Sequence, residues 1–337
     1  MINIELIKNI IHTNYGMRVV ETTKLLTGAG SDTYTLLTGC GKYILKNANI
    51  SEMNNPQNEP ALCGHLRSKG LPVSEFIRSI NGNFITACNG KHYHLQKFVE
   101  GKSYKWNSAP DWLLRESAQM LGKIHAALDD YAPLPVGIGE DFFKYMTPMA
   151  ALASYEESYQ HAMRINDRQS VEEIAFRIEL MKRFSVPEIR LNKITCKNTH
   201  GDFCINQLIC GDEKINAVID WTTACIHPVV WEIMRSYVYA APECQSGDID
   251  IAGFLRYVKD YLLFSKLTIS DLKMMPYVFY YQIAVCDYYK QYYQSTADNR
   301  ELFLGQAQLS TKLMRWFDKN AAGFSEFLIN SSANSAK

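Results

Sequence analysis

The sequence predicts an α+β chain in two parts: a small antiparallel β-rich N-terminal lobe and a larger, mostly helical C-terminal one. Three observations carry this expectation. The 337 residues exceed what a single hydrophobic core usually serves, and 47% of them are hydrophobic, enough to bury a sizeable interior. Short alternating runs punctuated by glycine fill most of the first hundred positions. Apolar residues at helical spacing fill most of the rest.

Residues 3–15 repeat Ile4, Ile7, Ile10 and Ile11 at helical spacing. Strands are then expected over 17–26, 33–38 and 42–47, with turns at Gly28-Ala29-Gly30-Ser31 and Thr38-Gly39-Cys40-Gly41. A helix over 58–69 carries Leu62 and Leu66 and stops at Gly70 before Pro72, and strands over 84–87 and 92–98 follow. Residues 112–128 place Leu113, Leu114, Ala118, Leu121 and Ile124 on one helical stripe, and a more polar helical pattern occupies 151–185. Beyond these, strand character returns only around 207–210 and 215–221, with Gly211-Asp212 as a hairpin turn between them. Residues 229–330 read as helices broken near Pro242, Gly247 and Pro276. The expected division is an N-lobe of 1–98 and a C-lobe of 99–330, joined near 96–101, with a polar tail over 331–337.

Charge and cysteine content narrow the function. Lys plus Arg and Asp plus Glu both number 35, so no net field favours nucleic acid or a membrane surface. Nine cysteines form an odd set without a CxxC pair, which argues for buried reduced thiols rather than a disulfide framework or a zinc knuckle. The N-terminus lacks a signal-peptide pattern, and no apolar run reaches the roughly 18 residues that span a bilayer, so a cytoplasmic location is expected.

The segment carrying chemistry is THGDFCINQ at 199–207, followed 18 residues beyond its Asp202 by Asp220 in the run AVIDW. One carboxylate on a loop and another at the end of the next strand suit a base for a hydroxyl and a ligand for a metal. In the N-terminal part, Gly28, Gly30 and Ser31 sit where unencumbered backbone N–H groups can approach phosphates. Lys46 follows in the strand run Tyr43-Ile44-Leu45-Lys46, and Glu59 opens the next helix as its expected ion-pair partner.

His200-Gly201-Asp202, an amide side chain five residues after the Asp, and Ile219-Asp220-Trp221 together resemble the aminoglycoside phosphotransferase and choline kinase superfamily, from about residue 20 to about 240. The resemblance implies a two-lobed protein-kinase-like fold, ATP or GTP as phosphoryl donor, Mg2+, and a small-molecule hydroxyl acceptor such as an aminoglycoside, amino alcohol, amino acid or sugar. It implies that Asp202 is the catalytic base and that Asp220 holds the metal. Where the family has Asn, this chain has Gln207, whose amide oxygen sits on a longer arm, with Asn206 one position early as its rival. Leu95 to Val99, including Gln96 and Phe98, resembles the hinge whose backbone pairs with the purine. Gly122 to His125 resembles the LGxxH helix, in which His125 is read as a packing residue. His200 is expected to brace the loop rather than to move protons.

Only about ten residues separate Asp220 from the helix expected at Val229, and no APE-like element follows, which favours a small-molecule kinase over a protein kinase of the same two-lobed architecture. The tyrosine-rich stretch 277–293 invites an aromatic-cage reading, but an amphipathic buried helix is preferred. A kinase acting as monomer or homodimer is the expectation. The competing one is a catalytically inactive, spore-coat-type relative, for which Gln207 speaks.

Overall fold

The computed structural model describes residues 4–25, 32–47, 55, 57–296 and 299–333. In chain order, the first elements are α1 (Ile4–Tyr15), β1 (Val19–Leu25), β2 (Thr33–Thr38), β3 (Gly41–Asn47), α2 (Asn58–Ser68), β4 (Phe76–Ile77), β5 (Ile85–Cys88) and β6 (Lys91–Lys97). Then come α3 (Asp111–Ala127), α4 (Glu140–Tyr145), α5 (Pro148–Arg164), α6 (Arg168–Arg183), β7 (Cys196–Thr199), β8 (Leu208–Gly211), β9 (Lys214–Val218) and β10 (Cys225–Pro228). The remainder is helical: α7 (Val229–Ala240), α8 (Ile251–Leu262), α9 (Ile269–Val285), α10 (Tyr288–Gln294) and α11 (Arg300–Ala333). Two compact units result, Met1–Ser103 with Gln207–Ala224, and Tyr104–Asn206 with Cys225–Lys337.

In the first unit an antiparallel sheet runs β1-β2-β3-β6-β4, with β5 also on β6. Ile7, Ile10, Ile11 and Tyr15 of α1 pack against Tyr34, Leu36, Leu45, Tyr93 and Leu95 of the sheet. Each such side chain withdrawn from water is worth about 1.5–3 kcal/mol. The glycine stop after α2 is realised as expected: Gly70 adopts φ 81 and donates to the Arg67 carbonyl. The β8–β9 hairpin turns on Asp212 and Glu213, both at positive φ, one residue later than the sequence suggests. It is stitched to the rest of this unit through Lys102 and Cys210, which exchange two 2.8 Å backbone bonds, and through Val218, which donates to Pro72.

The second unit is mainly helical, and α7 is buried along all twelve of its residues. One expectation is refined here and two fail. The helical pattern over 151–185 is two helices, separated where Asn166 takes φ 57 and Asp167 caps α6. Pro276 does not break a helix but lies inside α9, where burial outweighs the hydrogen bond a proline forfeits. Strand structure is not confined to 207–221, because β7 and β10 pair antiparallel from Cys196–Pro228 to Thr199–Cys225. Neither CKNT nor CIHP alternates, so no periodicity announces them. The tyrosine-rich stretch forms α9 and α10, with Tyr280, Tyr288 and Tyr289 buried.

All nine cysteines are free, and five of them are buried. Among the described residues no helix is long and apolar enough to cross a membrane.

Candidate active site

In the first unit, Lys46 projects from β3 and its Nζ stands 2.5 Å from Asp220 Oδ1, which also accepts from the Thr222 hydroxyl at 3.0 Å. Asp220 takes a left-handed conformation, φ 63, immediately after the apolar β9 strand. For a residue with a side chain that conformation costs free energy, and here it is over-determined by its neighbours. Trp221 is wholly buried, and its backbone N–H donates to Glu59 Oε1 at 3.2 Å. Glu59 thus ties α2 to the residue after Asp220, and its other oxygen lies 3.5 Å from His94 Nε2. His94 is completely buried opposite Lys46 in the β3–β6 register; burial, then the Lys46 charge, push its pKa down to about 3. Gln96 is buried with its amide 3.3 Å from His94 Nδ1.

At the hinge-like segment, Phe98 donates its backbone N–H to the Lys42 carbonyl at 3.1 Å, and Lys97 donates to Glu75 at 2.8 Å. Those N–H groups are therefore engaged within the protein. Gly28, Gly30 and Ser31 lie outside the described residues; the strands on either side of them, β1 and β2, are paired with Leu25 opposite Thr33.

In the second unit, β7 leads into His200-Gly201-Asp202, and this loop is held from α7. Glu232, with no exposed surface, accepts from the N–H of Gly201 at 2.5 Å and from that of His200 at 3.2 Å. Gly201 sits at φ 82, a conformation that glycine adopts without strain. The expectation that His200 braces the loop agrees with its geometry, since Nδ1 accepts from the Asp202 N–H at 3.3 Å. His125 of α3 stands 2.8 Å from Glu232 through Nε2, and 2.9 Å from the Tyr261 hydroxyl through Nδ1. Burial alone would raise the Glu232 carboxyl, but the His125 hydrogen bond and the neighbouring imidazoles outweigh it and hold the group below its ordinary value. Burial pushes the His125 imidazole down, against the pull of the Glu232 carboxylate that its Nε2 faces. The Asp202 side chain, 30% exposed, is met by the Arg235 guanidinium from the next turn of α7.

Asn206 and Gln207 differ in what surrounds them. The Asn206 amide oxygen receives the Trp106 indole N–H at 3.2 Å and lies 2.6 Å from Cys204 Sγ. The Gln207 carbonyl accepts from the N–H of Ile219, next to Asp220, at 2.9 Å. Among the described residues no group of three His, Cys, Asp or Glu side chains is arranged to hold a metal. A carboxylate and an amide oxygen are nevertheless the hard donors that Mg2+ takes when phosphate and water supply the rest, so the donor set fits.

Glu232, Arg235 and His125 are the contributors that sequence reasoning passed over. The sequence reading does not reach Glu232 or Arg235 and takes His125 only as packing. The spacing of Glu232 and Arg235 on one helical face was the available signal.

The phosphotransferase enzyme family model matches residues 21–260. No curated protein sequence matches significantly. Among solved structures, the amicoumacin kinase hAmiN aligns over 92% of this chain and 93% of its own, with 12% identity and a TM-score of 0.64. A microcompartment-associated aminopropanol kinase aligns over 96% and 99%, with 13% identity and a TM-score of 0.60. The choline kinase LicA from Streptococcus pneumoniae aligns over 92% and 98%, with 15% identity and a TM-score of 0.53. Identities this low speak to the fold, which is the kinase-like one of these proteins, while the family match spans most of the sequence. The chain belongs to the phosphotransferase enzyme family.

Proposed function

We propose that this protein is a small-molecule kinase that transfers the γ-phosphoryl group of ATP or GTP to a hydroxyl of an amino alcohol, amino acid, aminoglycoside or sugar-like acceptor. The observation that carries the reading is the His200-Gly201-Asp202 loop. A buried carboxylate is committed to holding two of its backbone N–H groups, while Asp202 remains partly accessible. Such an arrangement fixes a base in place, and phosphoryl transfer asks mainly for positioning and charge compensation.

In this reading the acceptor hydroxyl gives its proton to Asp202 as its oxygen bonds to the γ-phosphorus, and the bond to the β-phosphate oxygen breaks. Because the transition state is loose, the proton moves late and Asp202 acts first by orienting the hydroxyl. Lys46 contributes its charge to the donor phosphates, and Asp220 with Gln207, or its rival Asn206, would hold the metal. Mg2+, when bound, would supply charge compensation for the donor phosphates. Two relatives support the donor class, since hAmiN forms a complex with AMP-PNP and Ca2+, and the spectinomycin phosphotransferase APH(9)-Ia one with ADP. Gln207 in place of Asn is the one feature that favours an inactive relative.

The test is magnesium-dependent transfer from ATP and from GTP to pooled amino alcohols, amino acids, sugars and aminoglycosides. Asp202→Asn is expected to lose transfer while still binding nucleotide. Asp220→Asn is expected to weaken metal-nucleotide binding as well. Undiminished turnover in Asp202→Asn would remove the assignment. Nucleotide binding without transfer to any acceptor would favour the inactive relative, and Gln207→Asn would then show whether the amide position is the cause.

A further inference from the structure

Arg235 lies one turn beyond Glu232 on α7, is 8% exposed, and contacts Asp202 Oδ1 through Nη2. Its guanidinium carbon stands 4.5 Å from the Tyr239 ring centroid and 5.6 Å from that of Trp231, so aromatic surfaces pin it. Its Nε is buried without a hydrogen-bond partner. A buried helix has no packing need for a cation, and an apolar side chain of similar volume would avoid the desolvation cost. Burial works against the charge, and Asp202, first among the groups that oppose burial, raises the Arg235 pKa well above its ordinary value. Two residues at i and i+3 of one rigid helix therefore address the same loop, Glu232 through its main chain and Arg235 through its side chain.

We propose that Arg235 is a positioning residue for phosphoryl transfer, holding one oxygen of Asp202 so that the carboxylate keeps a single orientation toward the acceptor hydroxyl. The proposal rests on the reading of Asp202 as the base. A guanidinium does not give up its proton, so the proton taken from the acceptor stays on Asp202. The aromatic flanks matter because an arginine free to swing would fix nothing.

The test combines kinetics with crystallography on Arg235→Gln, Arg235→Lys and Arg235→Ala. In Arg235→Gln, kcat is expected to fall about a hundredfold, the scale of a misplacement of about 1 Å, with the nucleotide KM within about twofold of wild type. Arg235→Lys should recover part of the loss. Millimolar guanidinium should partly restore Arg235→Ala but not Asp202→Asn, whereas urea at the same concentration should restore neither. Crystals of Arg235→Gln should show Asp202 in more than one rotamer with the Glu232–Gly201 bond intact. An unmoved Asp202, or an unchanged kcat in the folded Arg235→Gln variant, would overturn the proposal. A wild-type protein that transfers phosphate to no acceptor would count against the kinase reading, and the rotamer comparison would still decide the role of Arg235.

Discussion

Among single residues, the buried histidines make the sharpest demand on solution conditions. His94 is pushed down to about 3 and His227 to about 4, in both cases chiefly by burial. Their unfolded values lie near 6.5, so between that value and the folded one the unfolded chain binds more protons. Stability is therefore expected to fall as pH drops below about 6.5, by about 1.4 kcal/mol per pH unit for each histidine across its window. Urea midpoints from pH 7 to 4.5 would measure this, and His94→Leu should flatten the profile by about one proton; an unchanged slope would mean His94 titrates normally. Glu232→Gln tests the loop brace in the same spirit, since an amide cannot serve both N–H groups as a carboxylate does. A loss of about 3 kcal/mol is expected, read from thermal unfolding. The Lys46–Asp220 contact joins two residues that the sequence already singles out by charge type, order and spacing. Glu232 and His125 were not legible in this way, since their meaning arises from a contact across 107 positions that no local pattern encodes. Arg235 was missed likewise, because its partner lies 33 positions away.

At the level of elements, the N-terminal sheet was readable almost strand by strand because glycine turns and β-branched alternation state it locally. The β7–β10 pair was not readable, and it is the element that leads into the His200-Gly201-Asp202 loop. Its register is set by partners elsewhere: the Thr199 hydroxyl donates to the Cys225 carbonyl at 2.9 Å, and Asp271 holds Thr195 just ahead of β7. Asp271 has no exposed surface; it accepts from the Thr195 N–H at 2.6 Å and from the Thr195 hydroxyl at 2.7 Å, and it completes the capping box of α9 with Thr268. One carboxylate thus caps a helix and anchors the strand that delivers His200. Asp271→Ala is expected to destabilise by about 2 kcal/mol through the lost cap and the partly buried Thr195 N–H left without its acceptor. It should also lower kcat more than it alters the nucleotide KM. Loss of stability with kcat intact would mean that the anchor holds the helix but not the loop.

For the molecule as a whole, the informative feature is that the compact units do not follow chain order, because residues 207–224 join the first unit although they follow His200-Gly201-Asp202 in sequence. Hydrophobic periodicity cannot report such a crossing, since a short hairpin reads the same wherever it docks. The docking is specific. Gly101 holds φ 146, and a Cβ there would lie 2.6 Å from the Cys210 carbonyl oxygen and 2.8 Å from Ile209 Cγ2. Asn216 secures the same edge by donating to the Glu100 carbonyl at 2.9 Å. Gly101→Ala must therefore either push β8 away or strain its own backbone, a cost of about 1–3 kcal/mol. Because only Ile219 separates β9 from Asp220, the displaced hairpin should carry Asp220 with it and, on the proposed reading of that residue, weaken nucleotide binding. In native-state hydrogen exchange, the amides of β8 and β9 are expected to open together with those of β3 and β6 in the wild type. In Gly101→Ala the hairpin amides should lose protection while those of α7 keep theirs. Equal loosening of α7 would mean that the hairpin is not an integral part of the first unit, and that Asp220 is positioned by other means.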